Sequence, residues 1–362
     1  MIETRVHLAV VSPMFMRGNE GVELRPQSFK GVMRWWWRAI KSCSDLKKLH
    51  REEANIFGYS DMGASRVWID VKGGKVANST VNLSVSGSVR NYTWRIGKEP
   101  ITWSSEKMVL KGSYPGLAYL MYPFLMRGLS RNNRSKTLNH IAPGDAFTLT
   151  LRSFYHRPLR QALASLWCAV WLGGFGARSR RGGGNLAFIS EPSDDISLDL
   201  NFTFKEETFY EWFRSNLQRC ANIIGVAGDH PPYSHISSAK VIVGKDSYSS
   251  WHEALNAIGK IFYDLRRNGD HEKNFVFGLP HKYNQCHKYK RRASPIILKV
   301  LKLNDRDYRW MVLYFKGPFL PLRECKAKID FSPIYNFLKA VAEQGGVEID
   351  LFKEAKHGKS QV

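Results

Sequence analysis

The sequence has few cysteines, and those present are not arranged as a cross-linking or metal-binding set. The five of them are widely separated, their number is odd and no C-x-x-C pair occurs: Cys43, Cys168, Cys220, Cys286 and Cys325. Disulfide frameworks and zinc ribbons both depend on closely patterned pairs, so the sequence argues against both. A reducing compartment fits this usage best, and we expect a cytoplasmic protein.

A long apolar run is also missing. The most apolar stretch, residues 162–174, is well short of the roughly 20 residues that a membrane-spanning helix requires. The first five residues, MIETR, carry charge where a signal peptide would build its apolar segment. We therefore expect neither membrane insertion nor secretion.

Acidic residues are scarce relative to basic ones. The 362-residue chain has 54 Lys and Arg against 32 Asp and Glu, a formal net charge of +22 at pH 7. Its 43% hydrophobic content can form a sizeable core, which argues against a disordered basic tail, and its length predicts two domains. Such a charge attracts an anionic partner: nucleic acid, an anionic membrane or an acidic protein.

The distribution of the positive charge narrows this choice. Basic residues are grouped with Gly, aromatic and hydrogen-bonding residues at 17–41, 127–136, 178–181 and 282–292. No long amphipathic helix carries lysines on one face and large apolar residues on the other, as a membrane-surface binder usually does. Nucleic acid is therefore the leading partner. The 127–136 group has no motif around it, and we interpret it as solvated surface.

The periodicity of the first half predicts the element order β-α-β-β-α-β of a ferredoxin-like unit. Residues 72–140, rich in Gly, Ser, Asn and Trp, are too long for a bare loop, so we interpret them as an insertion with short structure of its own. We place the first domain at residues 1–192. The elements of the unit, in order, are predicted at 2–10, 29–41, 65–71, 146–151, 158–172 and 185–190.

A polar break, EPSDD at residues 191–195, separates this unit from a second domain at 193–362. The second half repeats roughly the same order after a connecting helix at 206–224. The predicted fold class is therefore α+β, with two ferredoxin-like, RRM-related units. The further elements are predicted at 241–243, 251–267, near Phe275, 296–303, 308–315, 334–344 and 347–351.

The most informative segment is a glycine- and arginine-rich loop at residues 173–184, GGFGARSRRGGG. Glycines expose backbone N–H groups and allow positive φ, and arginines supply charge-assisted hydrogen bonds, so this composition is typical of a phosphate-binding segment. It lacks the G-K-[ST] of a Walker A loop and the third glycine of a dinucleotide fingerprint. A surface hairpin with incidental charge is the alternative. The residues concerned are Gly173, Gly174, Gly176, Gly182, Gly183, Gly184, Arg178, Arg180 and Arg181.

The predicted first helix, residues 29–41, carries a basic stripe. Ser28 is a suitable N-cap, and Lys30, Arg34 and Arg38 follow one another at i, i+4 and i+8 along one face. The strand at 2–10, the glycine-containing loop after it and the N-terminus of this helix bring backbone N–H donors close to the basic stripe. This arrangement suits the binding of an anionic nucleic-acid backbone.

Three consecutive tryptophans follow Arg34, and they cannot share one face of a helix. Trp36 and Trp37 are better explained as core residues, whereas Trp35 is the better candidate for contact with a partner.

Residues 28–34 (SFKGVMR) and the glycine-rich loop resemble the RAMP superfamily of CRISPR-associated RNA-binding proteins. RWWWR at 34–38, FGLP at 277–280 and RRASPI at 291–296 resemble segments of a subunit of the type III-B (Cmr) effector complexes. The resemblance implies a noncatalytic subunit that binds CRISPR guide RNA and target RNA near the guide's 3′ end, alongside other Cmr subunits. The RNA contacts that it implies are Arg17, Lys30, Arg34, Arg38, Arg178, Arg180 and Arg181. The basic run at 288–292 either extends this track, through Lys290, Arg291 and Arg292, or is a solvated basic loop.

Two other functions stay open. A metal-independent endoribonuclease that processes CRISPR repeat RNA needs one group to activate the 2′-OH and one to protonate the leaving oxygen. The loop at 18–25 offers no aspartate, which the catalytic relatives have there, and the remaining candidates are Glu20, Glu23, His7, His140 and His156. A basic protein-interaction scaffold without RNA contact is the other function.

We expect no metal and no cofactor. His271, His281, Cys286 and His287 have the residue types of zinc ligands, but their spacing matches no standard finger and lysines lie between them.

Overall fold

The computed structural model describes residues 1–19, 21–98, 100–107, 109–193, 198–205, 208–269, 273–278, 292–317 and 329–351. Within these ranges the chain forms a mixed α+β fold with three antiparallel sheets. The α+β class predicted from the sequence is confirmed.

The first half contains nine strands and five helices within the described ranges. In chain order they are β1 (Ile2–Val10), α1 (Pro26–Lys41), α2 (Leu46–Phe57), β2 (Trp68–Gly73), β3 (Val76–Ser86), β4 (Val89–Arg95), β5 (Pro100–Glu106), β6 (Val109–Lys111), α3 (Pro115–Leu120), α4 (Tyr122–Leu125), β7 (Ser135–Ile141), β8 (Ala146–Ser153), α5 (His156–Leu172) and β9 (Leu186–Phe188).

The second half, over its described ranges, adds four strands and three helices. These are α6 (Phe209–Ile224), β10 (Ala239–Gly244), α7 (Trp251–Asn268), β11 (Ile296–Lys302), β12 (Tyr308–Phe315), α8 (Ser332–Glu343) and β13 (Gly346–Ile349).

Two of the sheets have four strands and the same kind of strand order. The first sheet has the strand order β2-β8-β1-β9 and the second has the order β11-β12-β10-β13. In each sheet, the two central strands are the first and the third of its four strands in chain order. In the first sheet Val6, Leu8 and Val10 face the core, as the alternation of residues 2–10 predicts. Ile2 lies opposite Ser153, and all neighbouring strands are antiparallel.

Several local expectations differ from the structure. Helix α1 begins at Pro26, with Arg25 rather than Ser28 at its N-cap, because proline at the first position already has the φ of a helix. The strand expected near Phe275 is wrong, since Asn274–Phe277 form a 3-10 turn. Helix α2 is absent from the predicted elements, although Asp45 accepts hydrogen bonds from the backbone N–H groups of Lys47 and Lys48 in the usual manner of an N-cap.

The insertion forms more structure than its composition indicates. It contains a five-stranded sheet, β6-β5-β4-β3-β7, whose inner face buries Trp94 and Trp103. The sheet shares a core with α3, α4, α7 and α8. The insertion therefore packs against the second half of the chain and does not project into solvent from the first half.

The second four-stranded sheet lies between two hydrophobic cores. Ile297 and Leu301 of β11 join the core formed with α1, α5 and α6, whereas Leu298 and Val300 join the core formed with α7, α8 and the insertion. A strand buried on both faces has nearly continuous apolar sequence. This explains the run of apolar residues in β11.

Lys299 interrupts that run in the interior. Its side chain is 1% exposed, and Nζ donates a hydrogen bond to the backbone carbonyl of Val170 near the end of α5. Burial lowers the pKa of Lys299 to about 7. The unfolded chain therefore binds one more proton than the folded chain between about pH 7 and pH 10.

We expect Lys299→Met to abolish a pH dependence of stability. Because the lysine must lose its proton on folding above pH 7, the unfolding free energy of the wild type should rise by about 1 kcal/mol per pH unit between pH 7 and 8.5, relative to the variant. Urea titrations of both proteins at several pH values measure this difference. Parallel pH profiles would show that Lys299 is not the responsible group.

Candidate nucleic-acid interface

The glycine- and arginine-rich loop connects the two halves of the molecule. β11 is an edge strand of the second sheet, and the loop and the residue after it lie along its free edge. Leu298 N–H donates to the carbonyl of Arg180 at 3.2 Å, and Val300 N–H donates to Oδ1 of Asn185, directly after the loop, at 2.9 Å. Arg181 and Leu298 form a parallel bridge. An edge strand has unpaired backbone groups, and this loop satisfies part of them.

Half of the loop's twelve backbone N–H groups donate to backbone carbonyls within the protein. They belong to Gly173, Phe175, Ala177, Arg181, Gly183 and Gly184, with distances of 2.7–3.2 Å. Positive φ occurs at three of the predicted glycines, Gly176, Gly182 and Gly184. A Cβ added at Gly174, Gly176, Gly183 or Gly184 would lie within 3 Å of a backbone oxygen, so these glycines let the backbone pack closely.

The three arginines of the loop are anchored by backbone carbonyls. Arg178 Nε donates to Leu120 O at 2.8 Å, and Arg180 Nη1 donates to Ser294 O at 2.7 Å. Arg181 donates to Ile296 O at 3.0 Å and to Phe277 O at 3.3 Å. Carbonyl acceptors orient a guanidinium without neutralising it, so the positive charges remain.

These arginines line a cavity of about 1130 Å³ between the loop, the insertion and α7. Its size is that of a large ligand site. No aspartate or glutamate is among the described residues that line it. Its basic residues are Arg90, Arg127, Arg178, Arg180, Arg181, Arg266 and Arg292, and its aromatic residues are Tyr92, Tyr119, Tyr122, Phe262, Tyr263 and Phe277. We call this site the arginine cavity.

Burial and like charge both act on the arginines of the cavity. Burial lowers the pKa of Arg181 to about 9, and the nearby positive charge of Arg178 contributes to the decrease. Burial likewise lowers the pKa of Arg178, Arg180 and Arg292 to about 10. All four stay protonated at pH 7. A bound anion would relieve both the repulsion and part of the desolvation cost.

Aromatic rings and guanidinium groups lie next to one another in the wall of the arginine cavity. The Arg266 guanidinium carbon lies 5.5 Å from the ring centre of Phe262, 5.6 Å from that of Phe277 and 5.9 Å from that of Tyr119. Arg181 lies 4.8 Å from the Phe262 ring centre. Surfaces that bind single-stranded nucleic acid combine positive charge with rings on which bases stack. The cavity has both components.

The basic stripe of α1 lies apart from the cavity and is tied to α2. The buried Glu53 carboxylate is 2.5 Å from Arg34 Nε and 2.7 Å from Arg38 Nη1. Lys30 has its pKa lowered, first by burial and then by the charge of Arg34. Arg17 is exposed. None of these four predicted RNA contacts lines the cavity.

We expect Glu53→Gln to destabilise the protein by roughly 2 kcal/mol. The substitution keeps the size of the side chain but leaves Arg34 and Arg38 close together without the carboxylate between them. Denaturant unfolding measures the change. Glu52→Gln is the matched control, because Glu52 pairs with Lys41 at a partly exposed position and should lose less than about 1 kcal/mol. Equal losses would contradict the special role of Glu53.

Trp36 and Trp37 of α1 are core residues, as the sequence predicts, whereas contact of Trp35 with a partner stays a prediction. Trp36 and Trp37 are buried, at 2% and 0% exposure, whereas Trp35 is partly buried. The Trp35 ring centre lies 5.1 Å from the guanidinium carbon of Arg180, which connects α1 to the loop.

Of the predicted RNA contacts, the structure brings Arg178, Arg180, Arg181 and Arg292 together in the cavity. Lys290 and Arg291 lie outside the described residues. The cavity also contains residues that sequence reasoning does not select. Arg127 belongs to the group interpreted as solvated surface, and Arg266 has no motif around it, although its i, i+4 spacing from Phe262 places both on one face of α7.

Metal-binding clusters and membrane spans are both missing from the part of the chain that the structure describes. Among these residues, no group of three or more His, Cys, Asp or Glu side chains could hold a metal ion. No helix in the same ranges is long and apolar enough to cross a bilayer. The four candidate zinc ligands, His271, His281, Cys286 and His287, lie outside the described residues.

The chain belongs to the RAMP superfamily, whose family model matches residues 7–187. This range runs from β1 into β9 and includes the whole glycine- and arginine-rich loop. The resemblance inferred from the motifs of the first helix and the loop is confirmed.

Within that superfamily the chain is similar to the CRISPR system Cmr subunit Cmr1-1 of Pyrococcus furiosus, with 27% identity over 332 residues and 88% of each chain covered. The crystal structure of Cmr1 from Pyrococcus furiosus in its apo form matches with a TM-score of 0.64 at 23% identity, covering 96% of this chain and 99% of that one. A chain of the type III-B Cmr-beta complex bound to cognate target RNA and AMPPnP matches with a TM-score of 0.57 at 15% identity, covering 94% and 99%. The two structural matches show a shared fold.

Proposed function

We propose that this chain is the Cmr1-type subunit of a type III-B RNA-guided complex and that it holds RNA in the arginine cavity. The observation that carries the proposal is a cavity of about 1130 Å³ with seven arginines, six aromatic rings and no carboxylate among its described lining residues. Its size and charge suit a segment of RNA, whose phosphates would lie on guanidinium groups and whose unstacked bases would lie on rings. The partners are guide RNA, target RNA and other Cmr subunits.

The proposal includes two ferredoxin-like units, at residues 1–192 and 193–362. The strand orders β2-β8-β1-β9 and β11-β12-β10-β13 support it, because both place the first and third strands of a βαββαβ unit at the centre. The cavity lies where the loop of the first unit meets the second, so both units contribute to RNA binding.

Arg17, which precedes α1, and Lys30, Arg34 and Arg38 of α1 are proposed as a second, separate set of contacts to the RNA backbone, near the 3′ end of the guide. Arg34 and Arg38 keep part of each side chain exposed, at 29% and 35%, while Glu53 orients them. Contacts of this kind go to phosphates and 2′-hydroxyl groups, so we expect little sequence preference.

The test of RNA binding is a salt series. Binding of a single-stranded RNA to the purified chain is measured by filter retention from about 50 to about 300 mM salt. If the cavity binds three or more phosphates, log K against log[salt] should have a slope of about −2 or steeper. The slope should be similar for unrelated RNA sequences. A flat line, together with salt-insensitive assembly with protein partners, would favour a protein scaffold without RNA contact.

We infer that the chain binds RNA without cleaving it. Glu23 pairs with Arg25 at 3.4 Å, and His140 is 1% exposed, with Nδ1 3.2 Å from the carbonyl of Leu138. Burial lowers the pKa of His140 and so favours a neutral ring. Incubation of labelled RNA with the protein in EDTA tests the inference. Reproducible cuts that disappear in Glu23→Gln or in His7→Ala would contradict it.

A reducing, cytoplasmic location is part of the proposal. The cysteines support it, because Cys43, Cys168 and Cys220 are buried free thiols within the described ranges.

A further inference from the structure

Exposed aromatic residues gather at one end of the first sheet, away from the arginine cavity. Trp68 is 46% exposed, Phe154 63% and Tyr155 54%. The Trp68 and Phe154 ring centres are 5.6 Å apart with the rings nearly perpendicular, and the Arg66 guanidinium carbon lies 5.3 Å from the ring centre of Tyr155. Arg157, two residues after Tyr155, is also exposed, and we call these five residues the Trp68 patch.

The patch is held in a defined shape by the core beneath it. Ser153 is fully buried, its hydroxyl donates to the carbonyl of Arg66 at 2.7 Å, and it accepts from the N–H of Tyr155 at 3.0 Å. Trp68 lies on β2, which is the edge strand of its sheet and has Arg152 directly opposite. Exposed rings on a rigid base lose little entropy when a partner covers them.

Basic residues outnumber acidic ones around the rings: Arg66, Arg152 and Arg157 stand against Asp70, on the same face of β2 as Trp68, and Glu3. Glu3, on β1 and separated from β2 by β8, is already paired with Arg152 at 2.6 Å and with Arg5 at 2.7 Å. Arg66 and Arg157 have no ion pair among the described residues. A complementary partner would therefore bring carboxylates to the rim and apolar side chains to the centre.

The position of the patch favours protein over RNA as its occupant. Ile2 at the start of β1 lies opposite Ser153, whereas the glycine- and arginine-rich loop contacts the chain just beyond the other end of β1, at Pro13 and Phe15. The nine residues of β1 span roughly 30 Å at about 3.3 Å each. Tyr, Trp, Phe and Arg are also the residues most enriched at protein interfaces.

We propose that the Trp68 patch is the docking surface for a neighbouring protein subunit that presents acidic and aliphatic side chains. The proposal rests on the proposed function, since it takes the neighbour to be another subunit of the same complex. The rings supply the buried apolar contact, and Arg66 and Arg157 select an acidic rim.

The test is assembly from defined components. The full chain is co-expressed with the other Cmr subunits and guide RNA from the same genome, and its share of the purified complex is measured by native mass spectrometry. Trp68→Ala combined with Phe154→Ala should lower that share at least tenfold, while RNA affinity of the isolated chain stays within twofold. Tyr335→Ala, an equally exposed aromatic position on α8, is the control and should assemble normally.

A second variant, Arg66→Glu with Arg157→Glu, changes only surface side chains and should fold even if the alanine variant does not. It should also lower assembly at least tenfold. Assembly of either folded variant at the wild-type level would overturn the proposal, as would an RNA affinity that falls tenfold in step with assembly, which would make the patch an RNA surface. If the wild-type chain itself does not join the complex, the proposed function fails and the docking proposal fails with it.

Discussion

Replacing Gly184 with alanine is expected to lower the unfolding free energy by about 4 kcal/mol and to loosen the junction between the two halves. A Cβ at this position would lie 1.8 Å from the carbonyl oxygen of Phe175, which is backbone and cannot turn aside. The residue also has φ of +63°, which costs an L-residue about 1 kcal/mol. Overpacking in a tightly packed interior adds up to about 3 kcal/mol.

Gly87 is the matched control for this prediction. It has nearly the same φ, +59°, but a Cβ added there would have no heavy atom within 4 Å. Gly87→Ala should therefore lower the unfolding free energy by only about 1 kcal/mol, the cost of positive φ for an L-residue. Denaturant unfolding compares the two variants. Equal effects would mean that close packing does not explain the glycines of the loop.

Replacing Arg266 with alanine is expected to weaken RNA binding at least tenfold. Arg266 faces the cavity across the rings of Tyr119, Phe262 and Phe277, and its Nε is buried without a hydrogen-bond partner in the described structure. A charge-assisted hydrogen bond from this group to a phosphate is worth about 1.5–3 kcal/mol, and about 1.4 kcal/mol corresponds to a factor of ten. The salt slope should become shallower by about 0.7.

The neighbouring Arg267 provides the control for that experiment. It carries the same charge on the same turn of α7, but it is exposed and does not line the cavity. Arg267→Ala should leave the affinity within twofold. If both substitutions weaken binding equally, general electrostatic attraction explains it and the cavity does not.

The order of the elements could be predicted because local pattern determines it. Residues 2–10 alternate, Gly173 ends α5, and apolar runs mark β11 and β12, so most helices and strands lie where the sequence placed them. The five-stranded sheet of the insertion could not be recognised, because β3 contains VANSTVNLSVS, whose polar residues resemble a loop. Its inward residues, Val81 and Leu83, become apparent only once β4 and β7 pair with it.

The site could be predicted in its composition but not in its contacts. The loop is recognisable from its glycines and arginines. Its partners are not, since Arg178 bonds to a carbonyl 58 positions away and Arg181 to one 115 positions away. Tertiary packing likewise places Glu53 of α2 against Arg34 and Arg38 of the basic stripe. The spacing of the basic residues in the sequence does not reveal this acidic partner. RNA contact by the predicted residues stays a prediction.

Crosslinking shows directly whether RNA lies in the arginine cavity. The chain is irradiated with RNA containing 4-thiouridine, and the crosslinked peptides are identified by mass spectrometry. We expect crosslinks at the rings of the cavity wall, Tyr119, Tyr122, Phe262 and Tyr263, and their loss in Arg266→Ala but not in Arg267→Ala. Crosslinks confined to the Trp68 patch or to the outer face of the first sheet would contradict this placement of the RNA.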